Sequence, residues 1–429
     1  MTGLKKGDKK IITAWSFYDW ANSVYPLVIT STIFPIYYLS VTQTDVSNKV
    51  HFIGREYTNT TLYDFSLAFA YLVVALIAPL LSGIADYSGS KKKFMQFFCY
   101  LGSISCAAMY FFTGVENLWI GILTAILACI GYSGSIVFYN AFLPEIAEPK
   151  DHDRVSAKGF AMGYIGSAIL LIINLVMVMK PELFGFANAG TATRISFLTV
   201  GVWWILFAQI TFYYLPNNIY GHKPEGHYIF NGYLELKKVW QEVKQHKQLA
   251  KFLSAFFVYN MGVQTIMLIA TLFGSKELKL ESSQLIIVIL VIQFVAIAGA
   301  YLFSFMSEKK GNIVTLKAAV IIWIAVCIDA YFVKSANHFY VLAGIVGLVM
   351  GGIQSLSRST YSKMLPETED HASYFSFFDV TEKICIVCGM GLFGMIEQVS
   401  ESMRNPILAL ILFFIVGFLL LLRIPKNTV

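Results

Sequence analysis

Twelve apolar stretches, each of about 20 residues or more, run through this chain of 429 residues. They fall near 11–39, 61–84, 94–113, 118–142, 157–179, 195–215, 249–273, 282–306, 313–333, 339–363, 373–398 and 405–423. A bilayer takes each as one crossing. Inside hydrocarbon every backbone N–H and C=O must be bonded internally, and runs of this length dictate helices. The composition agrees: 57% of residues are hydrophobic and 14% charged, against roughly a quarter charged in soluble domains, and the mean hydropathy is +0.63. The expected fold is an all-α polytopic membrane protein with 12 transmembrane helices. Lys5, Lys6, Lys9 and Lys10 precede a first span too long for the apolar part of a cleaved signal.

Charge sets the orientation. Of the 32 lysines and arginines, 22 fall on the side of the two termini and 8 on the other, with Lys317 and Lys383 inside spans. The positive-inside rule then places both termini in the cytoplasm, and the net charge of +6 reads as topology rather than as a nucleic-acid footprint. The longest loop on that side, 217–248, divides an N-terminal six-helix bundle (1–216) from a C-terminal one (249–429). Its segment "LELKKVWQEVKQH" puts Leu236, Val239, Trp240 and Val243 at i, i+3, i+4 and i+7, with lysines on other faces. That pattern suits a helix lying on the inner membrane surface or a soluble linker helix.

The halves resemble each other. Span four runs into "FLPEIAEPKDH" and span ten into "MLPETEDH", while span one carries Tyr18-Asp19 where span seven carries Tyr259-Asn260. A duplicated bundle with a site between its repeats is the usual architecture of a secondary transporter.

The stretch "WSFYDWANSVYP", Trp15 to Pro26, places charge and amide inside the first span. Asp19, Asn22, Ser23, Pro26 and Thr30 share one helical face. Pro26 has no N–H, so the Asn22 carbonyl loses its helical partner. A charged side chain at a span centre costs about 2.5–3.5 kcal/mol on insertion scales, so the stripe is expected to face protein or a watery cavity. Span seven answers with Tyr259, Asn260 and Gln264, span four with Tyr139, and span ten with Gln354 and Arg358. Each tyrosine taken singly is explained by packing. As a set, polar faces on spans one, four, seven and ten suit a small polar or zwitterionic solute, with Asp19, Asn22, Tyr139, Tyr259, Asn260, Gln264 and Gln354 as candidate contacts.

Span eleven is the most charged, with Asp379, Glu382 and Lys383. Asp379 and Lys383 are spaced i, i+4 and can pair along the helix. Two acids beside one base leave one carboxylate over; either it carries a proton, or Asp19 and Lys383 pair across the halves. Together with Asp19 these three are candidates for proton coupling, against the plainer reading of a neutralised structural cluster. Arg358, about a turn from the inner end of span ten, suits an inner-gate ion pair. The seven histidines lie in loops or at span ends, which argues against coupling through imidazole. Cys385-x-x-Cys388 sits in an apolar helix, where buried thiols act as small hydrophobes rather than as metal or redox ligands. No cofactor is expected.

The loop after span two, "GIADYSGSKKKFM", sets Gly83, Asp86, Gly89 and Lys91 in the order G-x-x-D-x-x-G-x-K. It resembles the loop signature of the major facilitator superfamily. Gly83 permits close helix approach, and Asp86 can face a helix N-terminus, here that of span eleven near Ser373. Gly89 permits the reversal, and the lysines are expected on anionic headgroups. The glycine spacing excludes a phosphate loop. The matching loop in the second half, "SFMSEKKGN", keeps only Glu308, Lys309 and Lys310. Trp15 and Tyr18 to Ser23, with "KGFAMGYIG", "GGIQSLSRSTYSKMLP" and "YFSFFDVTEK", resemble the vacuole-effluxer-like (autophagy-related permease) family. The resemblance implies a twelve-span facilitator fold in a bacterial inner membrane and, from the fungal members, export of neutral amino acids. Glu382 departs from the family's pattern, and span four lacks the arginine that many proton-driven facilitators carry. A monomeric transporter of a small solute, surrounded by membrane lipids and working with or without protons, is the function expected. A membrane enzyme would need a reactive cluster that the loops do not supply. A sensor or scaffold, or a facilitator without ion coupling, remains as the alternative.

Overall fold

The computed structural model describes residues 5–43, 48–221, 228–400 and 402–426; residues 222–227 of the linker lie outside the described residues. Among the described residues, eleven helices have the length and hydropathy of a membrane span: Lys9–Thr42, Asn59–Ser88, Lys91–Phe111, Val115–Ile146, Pro149–Met179, Ala189–Tyr214, Lys247–Leu278, Gln284–Lys310, Asn312–Phe332, Ala336–Met364 and Asn405–Leu422. The twelfth, His371–Ser400, is as long but carries Asp379, Glu382, Lys383 and Glu397. Asp379 and Lys383 are buried, so the charge that lowers its hydropathy faces protein. All twelve expected spans are present, with ends shifted by a few residues. They are numbered one to twelve in chain order below.

Spans one to six pack into one bundle and seven to twelve into another, joined chiefly where span five meets spans eight and ten and span eleven meets spans two and four. An antiparallel hairpin, Lys49–Phe52 with Arg55–Thr58, follows span one. It turns through Ile53 and Gly54, both at positive φ. It lies outside the twelve expected spans.

Span one is not a uniform helix. A regular helix, Lys9–Asn22, is capped by Asp8, whose carboxylate accepts the Lys10 N–H at 2.8 Å. It gives way to a π-helical stretch, Tyr25–Ile33, and then to Phe34–Thr42. The stretch contains Pro26 near its start and is followed by Pro35, each lacking an N–H, so the i→i+4 ladder is broken at two points nine positions apart. Wider i→i+5 bonding, a device common at functional sites, re-satisfies the backbone, and the Thr32 hydroxyl donates to the Leu27 carbonyl at 2.7 Å.

The linker helix, Tyr228–Gln245, turns Val239 and Val243 inward, but Trp240 is 46% exposed. The apolar face read from the sequence is therefore two faces. Gly232 and Gly83 bring this helix against the end of span two: a Cβ on Gly83 would run into the Gly232 carbonyl. The close approach expected of Gly83 is to the linker rather than to another span.

Candidate functional site

The buried centre of the molecule is Arg358 on span ten. Its Nη1 donates to Asp19 Oδ2 at 3.2 Å and to Asn140 Oδ1 at 3.3 Å. Its Nε donates to Ser156 Oγ at 2.9 Å, and Nη2 to the Ser156 carbonyl at 2.9 Å. Tyr139 donates to the same Asp19 oxygen at 2.7 Å. The guanidinium also lies over the rings of Trp15, Tyr139 and Phe160, at 4.9, 5.4 and 4.2 Å. This enclosure suits a planar, weakly hydrated guanidinium and not an ammonium. Gly159 makes room for it: a Cβ there would crowd Asp19 Oδ2, Arg358 Nη2 and the Tyr139 hydroxyl. Asp19 thus pairs across the halves with Arg358, not with Lys383.

Two further networks bind the halves together toward the face that carries both chain ends. In one, Asp86 accepts the backbone N–H groups of Ala372 (3.1 Å) and Ser373 (2.7 Å), at the start of span eleven. Lys91 pairs with Glu145 and lies 3.7 Å from Asp86, and Glu145 meets His371 Nδ1 at 3.2 Å. Lys92 is buried too and donates to the Leu215 carbonyl at 2.7 Å. Lys91 and Lys92 therefore do not reach the headgroups expected of them; Lys93 alone of the three is exposed. Gly89 turns the loop at φ +64°.

In the other network the roles are exchanged. Asp153, at the start of span five, accepts from Ser307 (2.8 Å), Asn312 (2.6 Å) and Lys363 (2.7 Å). Ser307 and Asn312 flank the loop between spans eight and nine, the counterpart of the Asp86 loop. In the first network the acid sits on the first half's loop and the helix start belongs to the second half. In the other the acid, Asp153, sits on a helix start of the first half, and the flanks of the second half's loop supply the donors. Asp153 follows His152 as Ala372 follows His371 in the repeated "LPE…DH" segments. That alignment is the signal in the sequence that marks Asp153, a residue outside the expected set.

On the other side of the Asp19–Arg358 pair a cavity of about 240 Å³ opens between the halves. Thr30 and Ser31 from the π-helical stretch line it, with Tyr132, Tyr164, Gln264, Gln354, Glu382 and Lys383. Tyr164 donates to Gln354 Oε1 at 2.5 Å. Lys383 reaches Asp379 at 3.1 Å and Glu382 at 3.4 Å. Asp379 Oδ2 has no partner, so the cluster retains one unmatched carboxylate oxygen. Thr30 Oγ1, Ser133 Oγ and Gln293 Oε1, on residues of the cavity wall, are also unpartnered.

Four of the expected site residues, Gln264, Gln354, Glu382 and Lys383, therefore line one cavity. Asp19 and Tyr139 belong to the Arg358 enclosure instead. Asn22, Tyr259 and Asn260 are buried off the cavity; Tyr259 bonds Ser357 Oγ at 2.8 Å, and the amide nitrogens of Asn22 and Asn260 lack partners.

Comparison with known proteins matches this architecture. Residues 7–428 fit the family model described as vacuole effluxer Atg22 like. The MFS-type transporter YxiO of Bacillus subtilis (strain 168) is 32% identical over 418 residues, 97% of this chain and 95% of that protein. Autophagy-related protein 22 of Yarrowia lipolytica is 24% identical over 455 residues, covering 85% and 76%. Among solved structures, the major facilitator superfamily transporter FucP, in the outward conformation, superposes with a TM-score of 0.73 at 11% identity, over 98% of this chain and 99% of that one. The fold is that of the major facilitator superfamily.

Proposed function

The chain belongs to the vacuole effluxer Atg22-like family and is an MFS-type transporter; from that premise we propose that it carries a neutral amino acid across a bacterial inner membrane by alternating access, as a monomer with both termini inside. The observation that carries the reading is the cavity between the halves, where Lys383 and Glu382 present opposite charges beside Gln264, Gln354 and the apolar Met267, Leu268 and Ile386. A zwitterion with an apolar body matches that wall. Its carboxylate would take Lys383, and its ammonium Glu382. Once Lys383 turns to the solute, Asp379 loses its counter-ion, and a buried carboxylate without one takes up a proton. Solute and proton are thereby linked through Asp379, Glu382 and Lys383. Asp19 with Arg358, and Gly83, Asp86, Gly89 and Lys91 around the start of span eleven, form the gate on the inner side. Asn22 and Asn260 meet the solute when that gate opens.

Flux of leucine and tyrosine into proteoliposomes, with and without an imposed pH gradient, tests the reading in native protein, Lys383→Gln and Asp379→Asn. Gradient-driven flux lost in Lys383→Gln and uncoupled from the gradient in Asp379→Asn is the expected result. Flux indifferent to the gradient would remove proton coupling. Folded protein that moves neither amino acid would remove the substrate class.

A further inference from the structure

The outward flank of the linker helix carries a pattern that the transport site does not use. Phe230, Tyr233, Lys237, Trp240 and Lys244 stand at i, i+3, i+7, i+10 and i+14 of Tyr228–Gln245, which is one stripe along a helix. All five are exposed, the three rings at 62%, 53% and 46%. The adjoining face, Gly232, Val239 and Val243, is buried. The Lys244 ammonium lies 4.7 Å over the Trp240 ring, and that ring leans on Phe377 of span eleven at 5.3 Å. Only His246 separates this helix from span seven, so its C-terminal end is fixed at the membrane boundary.

Aromatic rings alternating with lysines on an exposed flank fit the headgroup layer, where rings lie at the apolar edge and ammonium groups meet phosphate. We propose that this stripe docks anionic phospholipid of the adjoining leaflet and that the lipid holds the linker helix in place as a clasp over the gate. The clasp is visible in the helix's other contacts. Asn231 donates to the Tyr87 hydroxyl of span two at 2.8 Å. Lys238 donates to Asp370 at 3.0 Å, and Tyr374 of span eleven donates to Glu242 at 2.8 Å. The helix thus grips span two of one half and the start of span eleven of the other, the same pair of elements that Asp86 joins. A lipid that favours the docked helix therefore favours the closed gate.

Hydrogen–deuterium exchange of the full chain in nanodiscs tests this without reference to any substrate. The disc lipids are phosphatidylcholine alone, or phosphatidylcholine with phosphatidylglycerol. Exchange over 228–245 should slow in the anionic discs at low salt by roughly fivefold for each of the two lysines, about 25-fold in all. High salt should erase the difference. Lys237→Gln with Lys244→Gln should exchange alike in both lipids while span five stays as protected as in the native chain. Equal exchange of native protein in the two lipids would overturn the proposal, since the flank would then be covered by neutral lipid or by protein. A double variant that kept the difference would overturn it too. The salt arm uses native protein, so a poorly folding variant leaves the test intact.

Discussion

Arg358 shows how much one buried charge is asked to do. It is 3% exposed, and its carboxylate partner, Asp19, comes from the other half of the molecule. Breaking such a pair by removing one member strands the other, at a cost of about 3–5 kcal/mol, whereas replacing both by apolar groups is often close to neutral. Asp19→Ala should therefore destabilise the protein more than the double change Asp19→Leu with Arg358→Met, read as thermal unfolding in detergent. Arg358→Lys should recover only part of the loss, because a compact ammonium cannot bond Asp19, Asn140 and Ser156 together while lying against three rings. Gly159→Ala should mimic the loss of the pair, since the added methyl would occupy the space of its atoms. A Gly159→Ala protein as stable as the native one would show that the enclosure can shift without cost. Both charges of this pair stand out in the sequence, because a charge inside a span is costly. Which charge met which was not. Asp379 and Lys383 are four residues apart on one helix, and their pairing follows from the period alone. Asp19 and Arg358 are 339 residues apart, and their meeting depends on the rotation of spans one and ten about their axes, which no local pattern encodes.

At the scale of the element, the linker helix illustrates a second limit of sequence periodicity. The i, i+3, i+4, i+7 set correctly marks a helix with a buried side, yet Trp240 sits on its edge, because the true burial stripe passes through Gly232, Val239 and Val243. Gly232 was invisible as an apolar contact for want of a side chain, although that absence is what lets the helix approach span two. Asp153 was hidden for a related reason. In "EPKDHDR" it looks like one solvated charge among several, and only the position of the opposite loop makes it a junction. The helix's own charges give a pH prediction. Burial, and then the neighbouring Asp370, raise the Glu235 carboxyl above the usual glutamate range, while its bonds to Glu235 and Asp370 raise Lys238. Glu242, His246, Glu367 and Glu369 share the groove. A carboxyl that binds its proton more tightly when docked adds stability as the pH falls through its raised value, until the free value is reached. The Lys238 contribution is fully present throughout that range and is lost only in strong alkali. Docking of 228–245 should thus tighten on mild acidification, seen as slower amide exchange after correction for the intrinsic rate. Glu235→Gln, which removes the repulsion at every pH, should flatten the response. A pH response unchanged in Glu235→Gln would assign it to another group.

The whole molecule is fastened on one side and open on the other. Asp19–Arg358, Asp86 with the start of span eleven, and Asp153 with Lys363, Ser307 and Asn312 all join the halves between the centre and the face of the chain ends, and the cavity lies on the other side. On the proposed rocking motion, all three must part when the cavity turns to the opposite side. Their energies then set a population rather than only a melting point, about tenfold for each 1.4 kcal/mol. Neutralising Asp19 and Arg358 together, as Asn and Gln, removes the attraction without stranding a charge, so the protein should fold and spend more time open toward its termini. Ser31 lines the cavity and is exposed, whereas Ser355 is 1% exposed beneath Arg358. A membrane-impermeant maleimide should label Ser31→Cys readily from the side opposite the termini, and Ser355→Cys hardly at all. In the neutralised background Ser31→Cys labelling should slow several-fold, and Ser355→Cys should become reactive from the termini side. The native thiols give a low background, since Cys99, Cys106, Cys129, Cys327 and Cys385 are buried and Cys388 is half-buried. The reciprocal change is what distinguishes a gate from a simple structural tie. Loosening of a tie would raise labelling at Ser355→Cys and leave Ser31→Cys as it was, because nothing would couple the two ends of the path.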